Sequence, residues 1–368
     1  MSSTLGHGPQ QPSTADGSPA PHRPPEPGGQ APPDIDQAHA AGQPRAAGQR
    51  DAVGRARDSF GRVTTIAVLV VTAQALLVAL FAWPATKTAP RDLPVVVAAP
   101  PPAAAALTQR LQSARSGAFT VTTVADQAAA DAALRDREAY AAFILGPDGP
   151  TLHIASAAAP VVAQLLTQQA QALGNGERIP VVDVVATDAD DPRGAGFAAG
   201  FLPLVLTSMA AGVLLTVAVG SRRARLSGIA LFAALAGLAS AAVLQYWLDA
   251  LPGTYLANAA VIALLALAVS TTVAGLGALL GGAGITLGVV LVFVLGNPLS
   301  AVASAPELLP QPWGQLGQLL PVGAGATLLR STAYFDGAGG TAAAWTLAAW
   351  AAAGLAFLLA GRRHIATH

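Results

Sequence analysis

Five stretches of this chain, residues 197–220, 226–248, 255–280, 284–303 and 341–360, contain no Asp, Glu, Lys, Arg or His, and a sixth, 63–83, is equally uncharged. A helix needs about 20 apolar residues to cross a ~30 Å hydrocarbon layer. The six runs have that length, and a polytopic α-helical membrane protein is the architecture they permit. Charged residues make up 11% of the chain, against about a quarter in soluble domains. The formal net charge is zero, so bulk charge points to no nucleic-acid partner. With no cysteine, disulfide and thiol chemistry are excluded. The tail before the first run is too long, and the run itself too long, for a cleaved signal peptide, so an uncleaved anchor is expected.

Arginines orient the spans. Arg55, Arg57 and Arg62 precede the first run, Arg222, Arg223 and Arg225 lie between the second and third, and Arg362 and Arg363 follow the sixth. With six crossings all three clusters fall on one side, which the positive-inside rule makes cytoplasmic together with both termini. Trp83, Trp247 and Trp345 lie near the expected interfaces, where aromatic belts form.

Residues 1–60 are rich in Pro, Gly, Gln, Ser, Ala and His, with few large apolar residues before Val53. Such a segment buries too little surface to offset its ordering entropy, and a disordered cytoplasmic tail is expected. Residues 85–196 regain charge, and strand and helix patterns alternate. Strands are expected at 93–99, 118–124, 139–145, 151–156 and 179–186, and helices at 103–115, from the cap Asp126 to about Arg137, and at 160–173. The turn 146–150 joins two of the strands. This reads as a small α/β domain inserted between spans one and two, on the extracytoplasmic side.

Catalytic signals are negative. The chain has no phosphate loop, no HExxH, no GxSxG and no metal-spaced Cys/His cluster, so neither nucleotide binding nor a metal or organic cofactor is expected. GAGFAAG (194–200) has the wrong spacing for a dinucleotide loop and reads as packing at a helix start. Gln74, Gln245, Asn258 and Asn297 are the strong polar side chains in the spans. Ion-coupled transporters keep buried ionisable groups on their pathway, which argues against a self-energised pump.

Two regions draw a sharper reading. Gly277/Gly281 and Gly284/Gly288 have the four-residue spacing that lets membrane helices approach closely, either inside the bundle or against a moving or partner helix. Residues 296–340 are divided by Pro298, Pro306, Pro310, Pro312 and Pro321. Pro298 is expected to break span five. WGQLGQLL and ATLLRSTAYF are too short to cross. They read either as a re-entrant helical pair or as a lid on the outer surface, since irregular backbone at membrane depth must be enclosed by protein or line a cavity.

One anchor helix, an external α/β domain and five helices with a broken segment before the last resemble the type-2 ABC exporter permeases, most closely the phage-infection-protein-like branch. The likeness covers about residues 60–363 and is carried by LPVVVAA, by LQSARSG followed by AFTVTTVADQAAADAALRDREAYAAFILGP, and by LLPVGAGATLLRSTAYFDG. It implies a half-transporter in the bacterial cytoplasmic membrane, acting as a homodimer or beside a related half, driven by a separate ATP-binding cassette subunit. On that reading Trp313, Leu319, Leu320 and Arg330 form an outer gate, and Arg222, Arg223 and Arg225 face the ATPase or anionic lipid. Their alternative role is simple orientation. The loop between spans two and three, Ser221 to Arg225, departs from the family by being too short for a coupling helix; the basic stretch 50–62 is a substitute. The competing reading is a non-transporting envelope protein whose external domain binds or scaffolds partners.

Overall fold

A computed structural model describes residues 43–147, 149–173 and 178–361. Six of its helices are long and apolar enough to cross a membrane: Phe60–Thr86 within α1 (Gln43–Thr86), α5 (Ala195–Ala218), α6 (Arg222–Ala242) extended by a π turn to Trp247, α7 (Tyr255–Leu280), α8 (Gly282–Val289) extended to Leu299, and α12 (Thr341–Ala360). α1 is a single helix of 44 residues, so the backbone of 43–60 is helical where a tail was expected; residues 1–42 of that expected tail lie outside the described residues.

From Val71 onward the chain forms one compact unit. Its centre is α7, which is 72% buried, against 22–33% for the other spans of this unit from α5 onward. Lipid tails supply no hydrophobic drive for helix association, so small residues that let backbones meet must do so. Three neighbours use them on α7. A Cβ at Gly212 of α5 would sit 2.7 Å from the Ser270 carbonyl, one at Gly237 of α6 would strike the Ala259 carbonyl, and one at Gly354 of α12 would lie 2.5 Å from the Thr271 carbonyl carbon. The buried hydroxyls of Ser270, Thr271 and Thr272 donate to carbonyls one turn back, so α7 carries them without orphaned donors. The glycines expected from spacing serve the α7–α8 hairpin. Gly277 admits Ile285, Gly284 meets the Leu276 carbonyl and Gly288 meets Val273, while Gly281 turns the chain at φ +63°.

The α8 helix passes through a π stretch, Val290–Leu295, into α9 (Gly296–Leu299). Pro298 therefore falls in the last turn and the helix stops one residue after it, consistent with the ladder bond its ring removes. At the α6–α7 turn Gln245 Nε2 donates to the Gly253 carbonyl (2.6 Å) and Asn258 Nδ2 to that of Pro252 (2.8 Å). Two of the few polar span residues thus close a turn.

In sequence, a five-stranded sheet lies between α1 and α5: β1 (Leu93–Ala98), β2 (Phe119–Val124), β3 (Ala141–Gly146), β4 (Gly149–Ile154) and β5 (Val181–Asp183), in the order β2-β1-β3-β4-β5. β1 pairs in parallel with β2 and β3, and β4 is antiparallel to β3 across the tight 146–149 turn. Helices α2 (Pro101–Ala114), α3 (Gln127–Arg135) and α4 (Pro160–Leu173) cover it. β1 alternates its faces. Leu93, Val95 and Val97 pack with α2 and α4, while Val96 and Ala98 pack with α3. Asp126 caps α3, its carboxylate accepting from the Ala129 N–H at 2.8 Å. Each core also takes residues from the far end of the chain. Ala305 and Leu308 join the first and Phe335 the second.

The α7–α12 contact yields a test. Gly354→Ala forces a methyl onto the Thr271 backbone and should cost about 1–3 kcal/mol. Gly282→Ala, with nothing within 4 Å of its new methyl, should leave the thermal midpoint in detergent unchanged or slightly raised.

Candidate gate at the sheet and bundle junction

The segment after α9 returns toward the sheet, passes a short 3-10 turn (Pro306–Leu308), and then forms α10 (Trp313–Gln318) and α11 (Pro321–Tyr334). Proline at the first helical position costs no ladder bond, which lets α11 begin at Pro321. The connection between these helices sits deep. Trp350 Nε1 donates to the Leu319 carbonyl at 2.8 Å, and Gly325 packs on Leu265. At 1.5 Å per residue these two partners lie roughly 14–15 Å along α12 and α7 from their sheet-side ends. The other end of α11 returns to the sheet side, where Tyr334 Oη donates to the Ala250 carbonyl (3.1 Å) and Gly253 packs on Ala333. The α10–α11 pair thus packs between α7 and α12 instead of lying across their ends. Its backbone is enclosed by protein, as such depth requires: α11 is buried at Val322, Gly323, Ala324, Leu328, Leu329 and most of its other positions.

The four gate residues expected from sequence do not form one cluster. Trp313 (42% exposed) meets Trp83 edge-on, their rings 6.4 Å apart, and Leu319 is 60% exposed, its contribution to the tip being its carbonyl. Leu320 opens α11, its N–H donating to the Gly317 carbonyl (3.2 Å). Arg330 is 7% exposed and lies elsewhere, its guanidinium 4.7 Å over the Phe197 ring and donating to the Val302 carbonyl at 2.8 Å.

Around Arg330 the sheet and bundle are tied by groups that hydrophobic patterning does not mark. Arg137, at the end of α3, donates to the Thr327 carbonyl (3.1 Å) and lies 5.2 Å over the Phe335 ring. Tyr140 Oη, just before β3, donates to Glu307 Oε2 at 2.8 Å. Burial, with Glu307 beside it, pushes the Tyr140 phenol far above its usual range, so it stays a donor to the carboxylate. Among the described residues no carboxylate lies within 4.0 Å of either guanidinium. A buried charge without a counter-ion is costly, and here carbonyls and aromatic faces carry the compensation. Glu307 and Arg330 are the only charged residues between 296 and 335. That isolation is a sequence signal that could have singled out Glu307 beside Arg330. At the start of α5, Asp191 accepts from the Ala195 and Phe197 N–H groups (2.7 and 3.1 Å), a cap that also sets the Phe197 ring under Arg330.

At the opposite end of the bundle the turn between α5 and α6 is three residues, Val219 to Ser221. Arg225 donates to the Leu215, Thr216 and Val219 carbonyls (2.8–3.1 Å) and Arg222 to that of Gly361 (2.6 Å). Both satisfy carbonyls that helix ends leave open. Arg223 is exposed. Arg55, Arg57 and the pair Arg362 and Arg363 lie where side chains are not described.

Among the described residues no group of three His, Asp or Glu side chains converges as a metal site. His153 on β4 pairs with Asp131 on α3 (2.6 Å), which ties a strand to its covering helix. No protein-family model, curated protein or solved structure matches this chain.

The junction predicts a measurable tie. Tyr140→Phe removes a donor from a partly buried carboxylate and should cost about 1.5–3 kcal/mol, read as a lower thermal midpoint of the purified chain. Tyr246→Phe, an exposed tyrosine on α6, should leave it unchanged.

Proposed function

We propose that this chain is the membrane permease subunit of an ABC-type exporter, moving a hydrophobic or amphipathic substrate with energy from a separate ATPase. The observation that carries the reading is the re-entrant pair α10–α11. Its inner end lies about half-way along α12 and about two fifths of the way along α7, and its root is hydrogen-bonded to the sheet. A buried helical pair of this kind has a use in a translocation path and none in a simple anchor. The centre of the bundle, α7, is packed shut by its neighbours, and its buried hydroxyls are internally satisfied. A route for substrate would therefore form between two copies of the chain or between this chain and a related half. The arginine end of α5–α6 would be cytoplasmic, with both termini, and the sheet an inserted domain outside the cell membrane.

A second reading, a non-transporting envelope protein that binds or scaffolds partners through the sheet, is favoured by one observation. Arg222 and Arg225 already cap helix carbonyls and the turn between them and α5 is three residues long. That leaves Arg223 as the exposed cation of this cluster for an ATPase or anionic lipid.

Purification of the full chain in mild detergent should bring down an ATP-binding subunit, and Trp350→Phe, which frees the Leu319 carbonyl, should change ATP hydrolysis by the reconstituted complex. If no ATPase co-purifies, the permease reading fails. The absence of cysteine makes topology simple to test. Ser113→Cys should react with an impermeant maleimide on intact cells, and Arg223→Cys only after permeabilisation. The reverse pattern would overturn the orientation.

A further inference from the structure

The sheet carries a cavity of about 580 Å³ between α2, the ends of β3 and β4, and the 178–180 segment. That size lies within the range of small-molecule sites, roughly 300–1,000 Å³. Topology explains its place. From β1 the chain crosses over α2 to β2 on one side. It then returns over α3, on the opposite face, to β3 on the other side of β1. The two connections part between β1 and β3, leaving a crevice at the carboxyl ends of these parallel strands. In open α/β sheets that switch point is where ligands bind. The lining begins there, at Ala99 just past β1 and at Phe143, Ile144 and Leu145 of β3.

The lining chemistry narrows the occupant. Leu107, Phe143, Leu145 and Ile179 supply an apolar floor, and Leu145 is left 43% exposed. The charged residues of the lining are Arg110 on α2 and Arg178 before β5, both exposed at the rim, and among the described residues no acid joins them. A nucleotide is disfavoured. α2 opens on Pro100, Pro101 and Pro102, which have no N–H to offer a phosphate. We infer that this cavity binds a single-chain anionic amphiphile, its tail on the apolar floor and its carboxylate or phosphate head between Arg110 and Arg178. The lining comes wholly from residues 99–180 and from none of the six spans, so the ligand enters from water rather than from the bilayer. This assignment does not rest on the permease reading and survives its failure.

The test uses the full chain in nanodiscs of zwitterionic lipid, titrated with dansyl-undecanoate and followed by dansyl emission. Saturable one-to-one binding is expected, displaced by dodecanoate and not by dodecanol. Arg110→Ala with Arg178→Ala should weaken it about tenfold, the loss of two solvent-exposed charge contacts. Ala106→Trp should fill the cavity and abolish binding. Circular dichroism melting of each variant shows that the fold is kept. Should Ala106→Trp fail to fold, Leu107→Glu, which sets a carboxylate on the floor, serves in its place. A signal that scales with lipid rather than protein, equal displacement by dodecanol, or unchanged binding in the folded floor variant would each overturn the assignment.

Discussion

In hydrocarbon, apolar helices gain little by hiding from solvent, so this bundle depends on backbones approaching until carbonyls touch neighbouring chain. α7 is where that happens. Gly212, Gly237 and Gly354 come from three helices far apart in sequence, and each removes a side chain where the α7 backbone passes. The remaining α7 surface, at Leu265 and Ile262, packs in one cluster with Val322 and Leu329 of α11. Because α7 is enclosed, the outward faces of α5 and α6 keep exposed leucines such as Leu206, Leu214, Leu231 and Leu235. Those are the surfaces a bilayer would cover.

The second constraint acts where the bundle meets the sheet. Two guanidiniums, a phenol and a carboxylate sit at a boundary between packed layers, held by carbonyls and ring faces instead of direct ion pairs. Such a cluster tolerates small shifts of α11 better than a bidentate pair, because ring faces and carbonyl oxygens are broad acceptors. Arg137 holds α11 through Thr327, and Tyr140 holds the segment before α10 through Glu307. The sheet is thereby tied both to α11 and to the segment before α10.

Much of this was legible in the sequence, and the exceptions have physical reasons. Runs without charge located all six long apolar helices to within a few residues, since solvent dictates composition. Alternation and turn residues located the five strands, and Asp126 announced its cap. Isolated glycines such as Gly212 and Gly354 carry no spacing signal, because each serves a different neighbour; the spaced pairs instead mark a hairpin that is local in sequence. α11 begins five residues before the expected ATLLRSTAYF helix. Gly323 and Gly325 look like breakers, yet they are there because Gly317 and Leu265 press on that turn. Of the expected gate, only Arg330 proved to be buried, and its ties to Phe197 and Val302 are tertiary facts no periodicity encodes. Glu307 went unnoticed, although it and Arg330 are the charged residues of 296–335, and the two serve different partners.

The sheet's two cores are completed by residues that arrive late. Leu308 fills one face and Phe335 the other, more than a hundred residues after β5. During synthesis the strands from Leu93 to Asp183 emerge first, with an apolar hole on each side. They must wait through the making of four long helices before those holes are plugged. This layer is thus completed only after the long helices have been made, and a chain stalled before residue 305 would leave both apolar faces half-built.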